Sequence, residues 1–286
     1  MKTLYTILLF STIVSQLSAQ RTSEVGPFAG VSYYLGDLNL SRHFYFSKPA
    51  GGVVHRYILN SHFAIKNSFL YGMVYAEDSK SNNPVQINRN LHFRSSIMDI
   101  ATQIEFNFLP FDGPESERVR SRSNEYYFSP YIFTGISLFS FNPQGSYNGT
   151  WYDLQPLGTE GQGTITYLDK KKYSLSQLSI PIGGGIKYDI SKKVNFAVEW
   201  GIRKTFTDYI DDVSTTYANP IAISSEKGPV ASRMSDQSLD LDTKYGNVDR
   251  QRGNSKNKDF YAFAGVMLTF KLSSRYQKQK CYGIDK

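Results

Sequence analysis

The sequence has few of the residues on which disulfide-rich or metal-binding exported domains depend. Its 286 residues include one cysteine, Cys281, so no disulfide can form within the chain. The four histidines, His43, His55, His62 and His92, lack the spacing of a zinc site. After the amino-terminal segment, no apolar run is long enough for a transmembrane helix, so any membrane insertion must use strands.

Motifs for catalysis are also missing. No nucleophile elbow and no paired Ser/His arrangement is visible. Gly183-Gly184-Gly185 is not a phosphate loop, because no helix follows it; within a strand, such glycines suit a close backbone approach or a bend. We therefore expect neither an enzyme nor a bound cofactor.

The amino-terminal segment predicts export. Lys2 gives a positive start, and Leu4–Val14 is an apolar stretch too short to span a bilayer as a helix. We expect a signal peptide over residues 1–19, cleaved after Ala19, with no cysteine behind the cut to carry a lipid anchor. Loss of Lys2 lowers the net charge of +7 to near +6. Because the chain is predicted to be exported, we do not expect it to bind nucleic acid. The basic residues suit a rim that faces anionic outer-membrane lipid and acidic partners.

About eight runs of alternating apolar and polar residues follow. A period of two places every second side chain on one face of a strand. Tyr and Phe are abundant, at 21 and 19 residues, as is typical of barrels with aromatic girdles at the membrane interfaces. We predict an all-β fold, a transmembrane antiparallel β-barrel of about eight strands within residues 20–272. The predicted strands are roughly Glu24–Leu35, Gly51–Leu59, Phe63–Tyr75, Ser96–Phe108, Tyr126–Phe141, Gln177–Asp189, Asn195–Phe206 and Asp259–Leu272.

The lengths of the connections predict the orientation. The first, third, fifth and seventh are long, and Thr207–Lys258 is the longest, whereas Asn60-Ser61-His62 and Ile190-Ser191-Lys192 are tight turns. Outer-membrane barrels have short periplasmic turns and longer external loops, so we expect periplasmic termini. The fourth connection, Leu109–Glu125, is longer than a periplasmic turn requires.

Charged residues on the predicted inner face predict a lumen charge network. Carboxylates and cations cannot face lipid at acceptable cost, so they must point into the barrel. A barrel of eight strands is just wide enough for side chains to fill, which favours a structural plug of ion pairs over a proton path or a catalytic pair. The residues are Lys66, Asp99, Glu105, Lys187, Glu199 and Arg203.

Two further features leave alternatives open. Asp208, Asp211 and Asp212 follow the seventh strand; solvated loop charge is favoured over a calcium site, because the stretch lacks the ligand pattern of a calcium loop. Cys281 lies in a basic tail, residues 273–286, where nearby cations favour the thiolate. An intermolecular disulfide and an idle or buried thiol both remain open for it.

Two segments resemble signatures of PorG-like outer-membrane barrels of the Bacteroidota. The first runs from Glu24 to Asn39 (EVGPFAGVSYYLGDLN) and the second from Glu199 to Ser214 (EWGIRKTFTDYIDDVS). The closing strand from Lys258 to Gly265, with a trailing cysteine, also fits. This resemblance covers nearly the whole mature chain.

The resemblance implies an outer-membrane anchor of the type IX secretion system, which tethers a periplasmic ring of PorK-like lipoprotein and its PorN-like companion. The expected partner contacts lie in the tail and in the fourth connection. The alternative is a small porin-like or adhesin-like barrel that binds a ligand through its external loops. A third hypothesis is an outer-membrane hydrolase or acyltransferase that uses Asp208, Asp211 or Asp212, which the absence of a suitable Ser/His partner disfavours. The expected contact residues are Cys281, Arg275, Lys278, Lys280, Arg118, Arg120 and Arg122.

Overall fold

The structure is a computed structural model that describes residues 23–111, 128–191, 193–240 and 247–272. A 3-10 turn covers Asp78–Lys80. The strands are β1 (Ser23–Leu35), β2 (Lys48–Ile58), β3 (Phe63–Glu77), β4 (His92–Asn107), β5 (Phe128–Tyr147), β6 (Thr150–Asp153), β7 (Ser176–Ser191), β8 (Val194–Thr205) and β9 (Phe260–Leu272). The α-helices are α1 (Pro84–Arg89), α2 (Leu154–Leu157), α3 (Pro220–Lys227) and α4 (Pro229–Ser235).

Eight of these strands close into an antiparallel barrel. They follow one another around the wall in chain order, with β5 paired to β7, and β9 returns to pair with β1 from Ser23–Leu272 to Leu35–Phe260. The short β6 extends β5 as a hairpin beyond the wall. Closure pairs the backbone groups that an open sheet would leave exposed at its edges. The predicted all-β antiparallel barrel is confirmed.

Alternation along each strand divides the side chains between the lumen and the outer wall. In β4, Asp99 and Glu105 point inward and are fully buried, whereas Ile100 and Ile104 point outward and are more than half exposed. A continuous apolar band of this kind suits hydrocarbon and not water. It includes Val53, Phe69, Met98, Ile100, Ile104, Ile132, Ile136, Leu138, Leu178, Ile182, Ile186, Val198, Val266 and Leu268.

Two polar side chains on the outer wall bond to each other. Asn67 of β3 lies directly opposite Thr102 of β4 in the sheet. The Thr102 hydroxyl donates a hydrogen bond to Asn67 Oδ1 at 2.9 Å. An unpaired polar group is costly in hydrocarbon, so this hydrogen bond lowers the cost of their exposure to lipid.

The two ends of the barrel differ. At one end, which we call the turn end, residues 59–62 join β2 to β3, and β7 ends at Ser191 close to the start of β8 at Val194. The first residue of β1 and the last of β9 lie there too. Residues 36–47, 78–91, 154–175, 206–240 and 247–259 lie at the other end, the loop end. The long connections and both strand termini are therefore arranged as predicted.

The loops at the loop end are more ordered than the sequence pattern indicates. β5 continues past the predicted end at Phe141 to Tyr147, and the stretch after β8 contains α3 and α4. Asn219 caps α3, because its side chain accepts a hydrogen bond from the Ile221 N–H at 2.9 Å, and a proline occupies the first position of the helix. Within the described residues, no helix has the length and hydropathy needed to cross a membrane.

Close backbone approach explains the glycines of β7. A Cβ atom on Gly183 would lie 2.3 Å from the carbonyl oxygen of Trp200 and 2.6 Å from the ring of Phe133. Such contacts lie far inside van der Waals distance, so β7 can approach β8 and the inward-facing ring here only without a side chain.

Replacing Gly183 with valine should destabilise the barrel by about 1–3 kcal/mol, the usual cost of overpacking. Urea unfolding of the detergent-solubilised chain, followed by tryptophan fluorescence, measures this. Ile182→Val is the matched control, because Ile182 faces outward and is half exposed. Equal unfolding midpoints for the two variants would contradict this account of the close approach.

Candidate functional site: the filled lumen and its cap

The lumen near the turn end contains a network of buried ion pairs. Arg56 joins Glu24 at 2.9 Å (Nη1 to Oε2) and Glu105 at 2.7 Å (Nε to Oε2). Lys187 Nζ lies 2.5 Å from Glu105 Oε2 and donates to Asn107 Oδ1 at 3.0 Å. Glu105 is thus held by two cations from opposite walls of the barrel, on β2 and β7.

A second branch of this network crosses the lumen through Lys66. Its ammonium pairs with Glu199 and lies 3.5 Å from Glu105 Oε1. The hydroxyl of Tyr131 donates to Glu199 Oε2 at 2.6 Å, and Lys66 Nζ sits 4.0 Å from the centre of the Phe133 ring. These contacts surround the ammonium with a carboxylate and an aromatic face in place of water.

The charges of this group balance. Three carboxylates face three cations, and each side chain is buried. Since an uncompensated charge in a dry interior is very costly, an equal number of opposite charges is what a filled lumen requires. We call this group the lumen network: Glu24, Arg56, Lys66, Glu105, Lys187 and Glu199.

Asp99 and Arg203 form a separate pair nearer the loop end. Asp99 Oδ2 accepts hydrogen bonds from Ser137 Oγ and the Tyr261 hydroxyl, each at 2.6 Å, and lies 3.8 Å from Arg203 Nε. The guanidinium also lies 4.8 Å from the ring centre of Phe263. All six sequence-predicted lumen residues therefore lie inside the barrel, in two groups and not one.

Phe111 occupies the turn end of the lumen. It belongs to the first residues of the connection after β4, and only 2% of its surface is exposed. Its backbone N–H donates to the Ser61 carbonyl at 2.8 Å, and its ring centre lies 5.8 Å from Lys187 Nζ and 5.9 Å from Lys271 Nζ. The beginning of this connection therefore folds across the barrel mouth.

Apolar side chains fill the lumen above the charges. Phe139 packs against Tyr261 with ring centres 4.9 Å apart, and Phe28 packs edge-on against Phe263 at 6.4 Å. The same buried cluster continues into the loops through Leu38 and other residues. The wall and the loops thus share one continuous core.

Buried ion pairs hold the loops together as a cap over the loop end. Arg89 binds Asp78 with two hydrogen bonds of 2.7 and 2.8 Å and donates to the Arg252 carbonyl at 2.6 Å. Arg252 in turn lies 3.1 Å from Glu160 Oε1, and Glu160 accepts from the backbone N–H of Ser214 at 2.8 Å. Side chains from three loops are joined by these contacts.

The interpretation of Asp208, Asp211 and Asp212 as solvated loop charge is wrong. All three are buried, with 3% of the Asp208 surface exposed and less for the others. Asp212 accepts from the Tyr173 hydroxyl at 2.6 Å, and Asp211 accepts from the Tyr34 hydroxyl at 2.5 Å. The loops fold down over the mouth of the barrel and cover these carboxylates.

Burial raises the pKa of the cap carboxyls. The pKa of Asp208 rises to about 7, because of desolvation and of the nearby charge of Asp37, and that of Asp212 rises to about 6. The pKa values of Asp211 and Asp259 lie well above the ordinary range, through burial and their carboxylate neighbours. The Tyr34 hydroxyl lies 3.1 Å from Asp259 Oδ1 as well as beside Asp211, and its one proton cannot serve both carboxylates.

No metal centre emerges from the described part of the chain: no group of three or more His, Cys, Asp or Glu side chains there could hold an ion. The predicted contact residues in the tail and in the fourth connection lie outside the described residues. They are Arg118, Arg120, Arg122, Arg275, Lys278, Lys280 and Cys281.

Several important residues escape the sequence analysis. Glu24 and Arg56 carry a detectable signal, since each occupies an inward position of its strand's alternation. No pattern in the sequence identifies Arg89, Glu160 and Arg252, because they come together from loops that lack periodicity and lie far apart in the chain.

Solved structures of outer-membrane barrels are similar to this chain at low identity. Ail, the attachment invasion locus protein of Yersinia pestis, is 9% identical with a TM-score of 0.39, covering 89% of this chain and 100% of that one. OprG from Pseudomonas aeruginosa is 11% identical with a TM-score of 0.39, covering 90% and 97%. Neisserial surface protein A is 8% identical with a TM-score of 0.38, covering 89% and 98%. No curated protein matches the sequence.

The closed antiparallel wall, its apolar outer band and its long loops at one end define a transmembrane β-barrel of the outer-membrane type. Within that class, the chain belongs to the family described as Domain of unknown function (DUF6089), whose model matches residues 2–222.

Replacing Glu105 with glutamine should destabilise the barrel by about 3–5 kcal/mol, because it leaves the cations of the lumen network in excess. Asp169→Asn, at an exposed loop position, is the matched control. Urea unfolding in detergent measures both. Adding Lys187→Met to Glu105→Gln removes the extra cation and should recover part of the loss. A Glu105→Gln barrel as stable as the control would show that the network is not a stabilising unit.

The cap should loosen as the pH rises. A carboxyl whose pKa is raised by folding favours the folded state below its ordinary pKa, and that advantage disappears as the pH rises from about 4 through about 7. Hydrogen exchange of residues 207–215, corrected for intrinsic rates, should therefore show weaker protection at about pH 8 than at about pH 5. Asp208→Asn should reduce this difference, whereas Asp169→Asn should leave it unchanged. Equal protection at both pH values in the unmodified chain would refute the account.

Proposed function

We propose that the protein is a non-conducting anchor in the outer membrane of a Gram-negative cell, which seats a periplasmic ring of the type IX secretion system. The filled lumen is the observation that carries this proposal. Charged and aromatic side chains occupy the barrel from Phe111 at the turn end to the cap at the loop end. Such an interior suits a structural plug and leaves the wall and the mouths of the barrel as the functional surfaces.

The resemblance of two segments to PorG-like barrels supports the type IX secretion system as the proposed assembly. The segments that resemble PorG-like barrels include Glu24 and Glu199, two members of the lumen network, and Asp211 and Asp212 of the cap. The signature residues therefore hold the barrel and cap together, and partner binding falls to other parts of the chain.

The position of the fourth connection supports the proposed direction of contact. Phe111 fixes its first residues beneath the lumen at the turn end, where β9 also ends at Leu272. The turn end faces the periplasm in barrels of this type. The positions of Phe111 and Leu272 therefore support a periplasmic partner contact for Leu109–Glu125 and for the basic tail 273–286.

The adhesin-like alternative has its own supporting observation. Ile165, Leu168 and Ile221 are large apolar side chains on the loops, and between 61% and 80% of each is exposed. Exposed apolar side chains beyond the membrane band suit contact with a ligand or surface. Under this alternative, replacing the three with serine abolishes ligand binding and leaves secretion intact.

Affinity purification from detergent-solubilised outer membranes, run without reductant and followed by mass spectrometry, tests the anchor. We expect a PorK-like lipoprotein and its PorN-like companion to be recovered with the barrel. Neutralising Arg118, Arg120 and Arg122, or Arg275, Lys278 and Lys280, should weaken recovery, whereas neutralising the exposed Lys171 and Lys256 on the external loops should not. Purification of the barrel without ring components would contradict the anchor.

Cys281 is tested in the same experiment. We propose that its thiol forms a disulfide with a periplasmic partner, so a crosslinked species should disappear on reduction and in Cys281→Ala. A crosslink pattern that is unchanged in Cys281→Ala would exclude this bond and leave the anchor proposal to the charged segments.

A further inference from the structure

The first external loop, residues 36–47, folds down over the outside of the barrel rim. His43 Nδ1 lies 3.0 Å from the hydroxyl of Tyr33, and its ring centre lies 6.2 Å from that of Trp200. Farther along the loop, Phe46 packs edge-on against Tyr75 at 5.5 Å. Tyr33, Trp200 and Tyr75 occupy outward positions of β1, β8 and β3, so this loop covers the upper edge of the wall that faces lipid.

Backbone strain at the tip of this loop presents exposed aromatic side chains. Phe44 has a φ of +63°, which is rare for a bulky residue, yet 51% of the side chain is exposed. Tyr45 beside it is 43% exposed. The Phe44 ring packs against that of Tyr33, with ring centres 4.8 Å apart, so its exposed part stays beside the outer wall. Strain of this kind collects at ligand-binding positions.

A cavity of about 380 Å³ lies between this loop and the loop after β3. Arg42 and Lys80 line it, together with Tyr45, Asn82 and the carboxylate of Glu77. The Arg42 guanidinium is held in place, because Nη1 donates to the Lys80 carbonyl at 2.9 Å and Cζ lies 4.8 Å from the Tyr45 ring centre. The two cations outnumber the single lining carboxylate, which accepts a hydrogen bond from the Tyr75 hydroxyl at 2.9 Å.

These features together describe a receptor for an anionic amphiphile. A guanidinium from one loop and an ammonium from the other suit a phosphate group between them. An asparagine amide can donate to and accept from sugar hydroxyls, and exposed aromatic rings at a membrane interface suit the boundary between headgroup and acyl chain. Phe46, which packs against the outward-facing Tyr75, also lines the cavity, so the cavity lies at the rim beside the outer wall.

We propose that this rim cavity binds the phosphorylated sugar headgroup of an anionic glycolipid in the surrounding leaflet. Arg42 and Lys80 hold the phosphate, and Phe44 and Tyr45 contact the sugar and the first carbons of the acyl chains. The site is independent of the secretion proposal, since it lies at the opposite end of the barrel from the predicted partner contacts.

Reconstitution of the full chain into phosphatidylcholine vesicles with or without lipid A tests the proposal. Native mass spectrometry of the re-extracted protein should show retained lipid A, which Arg42→Gln/Lys80→Gln should reduce by about tenfold to thirtyfold, given the usual contribution of each cation near a lipid surface. Tyr45→Ala should also reduce retention. Lys171→Gln/Lys256→Gln makes the same change of charge at exposed sites on other loops and should retain lipid A as the unmodified chain does.

A soluble arm distinguishes the lipid from a free phosphorylated sugar. The deacylated headgroup, a phosphorylated glucosamine disaccharide, should compete only weakly, because it lacks the acyl carbons that contact Phe44 and Tyr45. Equal affinity for the soluble headgroup and for lipid A would overturn the assignment to a membrane lipid. Equal retention of lipid A by both double variants would overturn the site itself. The urea unfolding midpoint of each variant confirms that the barrel is folded in every comparison.

Discussion

The structure depends on the pairing of charges inside a narrow, closed wall. Eight strands leave a lumen that side chains must fill, and lipid outside the wall excludes charged groups from the outer face. Charged residues in the middle of the strands, such as Asp99 and Glu105, are therefore directed inward, where each needs an opposite charge, whereas the outward-facing Arg94 and Lys204 lie near the loop end. Glu105 illustrates the pairing of an inward charge. Arg56 and Lys187 reach its carboxylate from opposite sides and so link strands that are distant around the barrel.

Buried charges are also paired in the cap, but there the acidic groups outnumber their cationic partners. Arg89 and Arg252 tie loops together through Asp78 and Glu160, but Asp208, Asp211 and Asp259 are buried among other acidic groups. The lumen near the turn end is charge-balanced, whereas the cap contains carboxyls that keep their protons more readily than solvated ones. Ion pairs therefore hold both ends of the molecule, and only the cap adds buried carboxyls whose protonation responds to pH.

The sequence predicts the wall better than the site. A period of two is a local signal, so the strands, their inward carboxylates and the contrast between turns and loops can be read from it; the strand predicted from Gln177 to Asp189 lies within β7. The partner of each charge depends on barrel register, which the pattern does not encode, and so Arg56 escapes notice beside Glu105. The cap is harder still, because Asp212 and Arg252 meet only through folded loops without periodicity.

A filled interior is what the proposed anchor requires, because an anchor needs no passage through the lumen. Under that proposal, the wall seats the protein in the membrane and partner contacts fall to the surfaces outside the lumen. Ion conductance of the purified full-length chain in planar lipid bilayers tests this claim most directly. The account predicts no regular current steps in symmetrical salt across a wide range of applied voltage. Reproducible steps of one fixed size, with the lumen network intact, would contradict it.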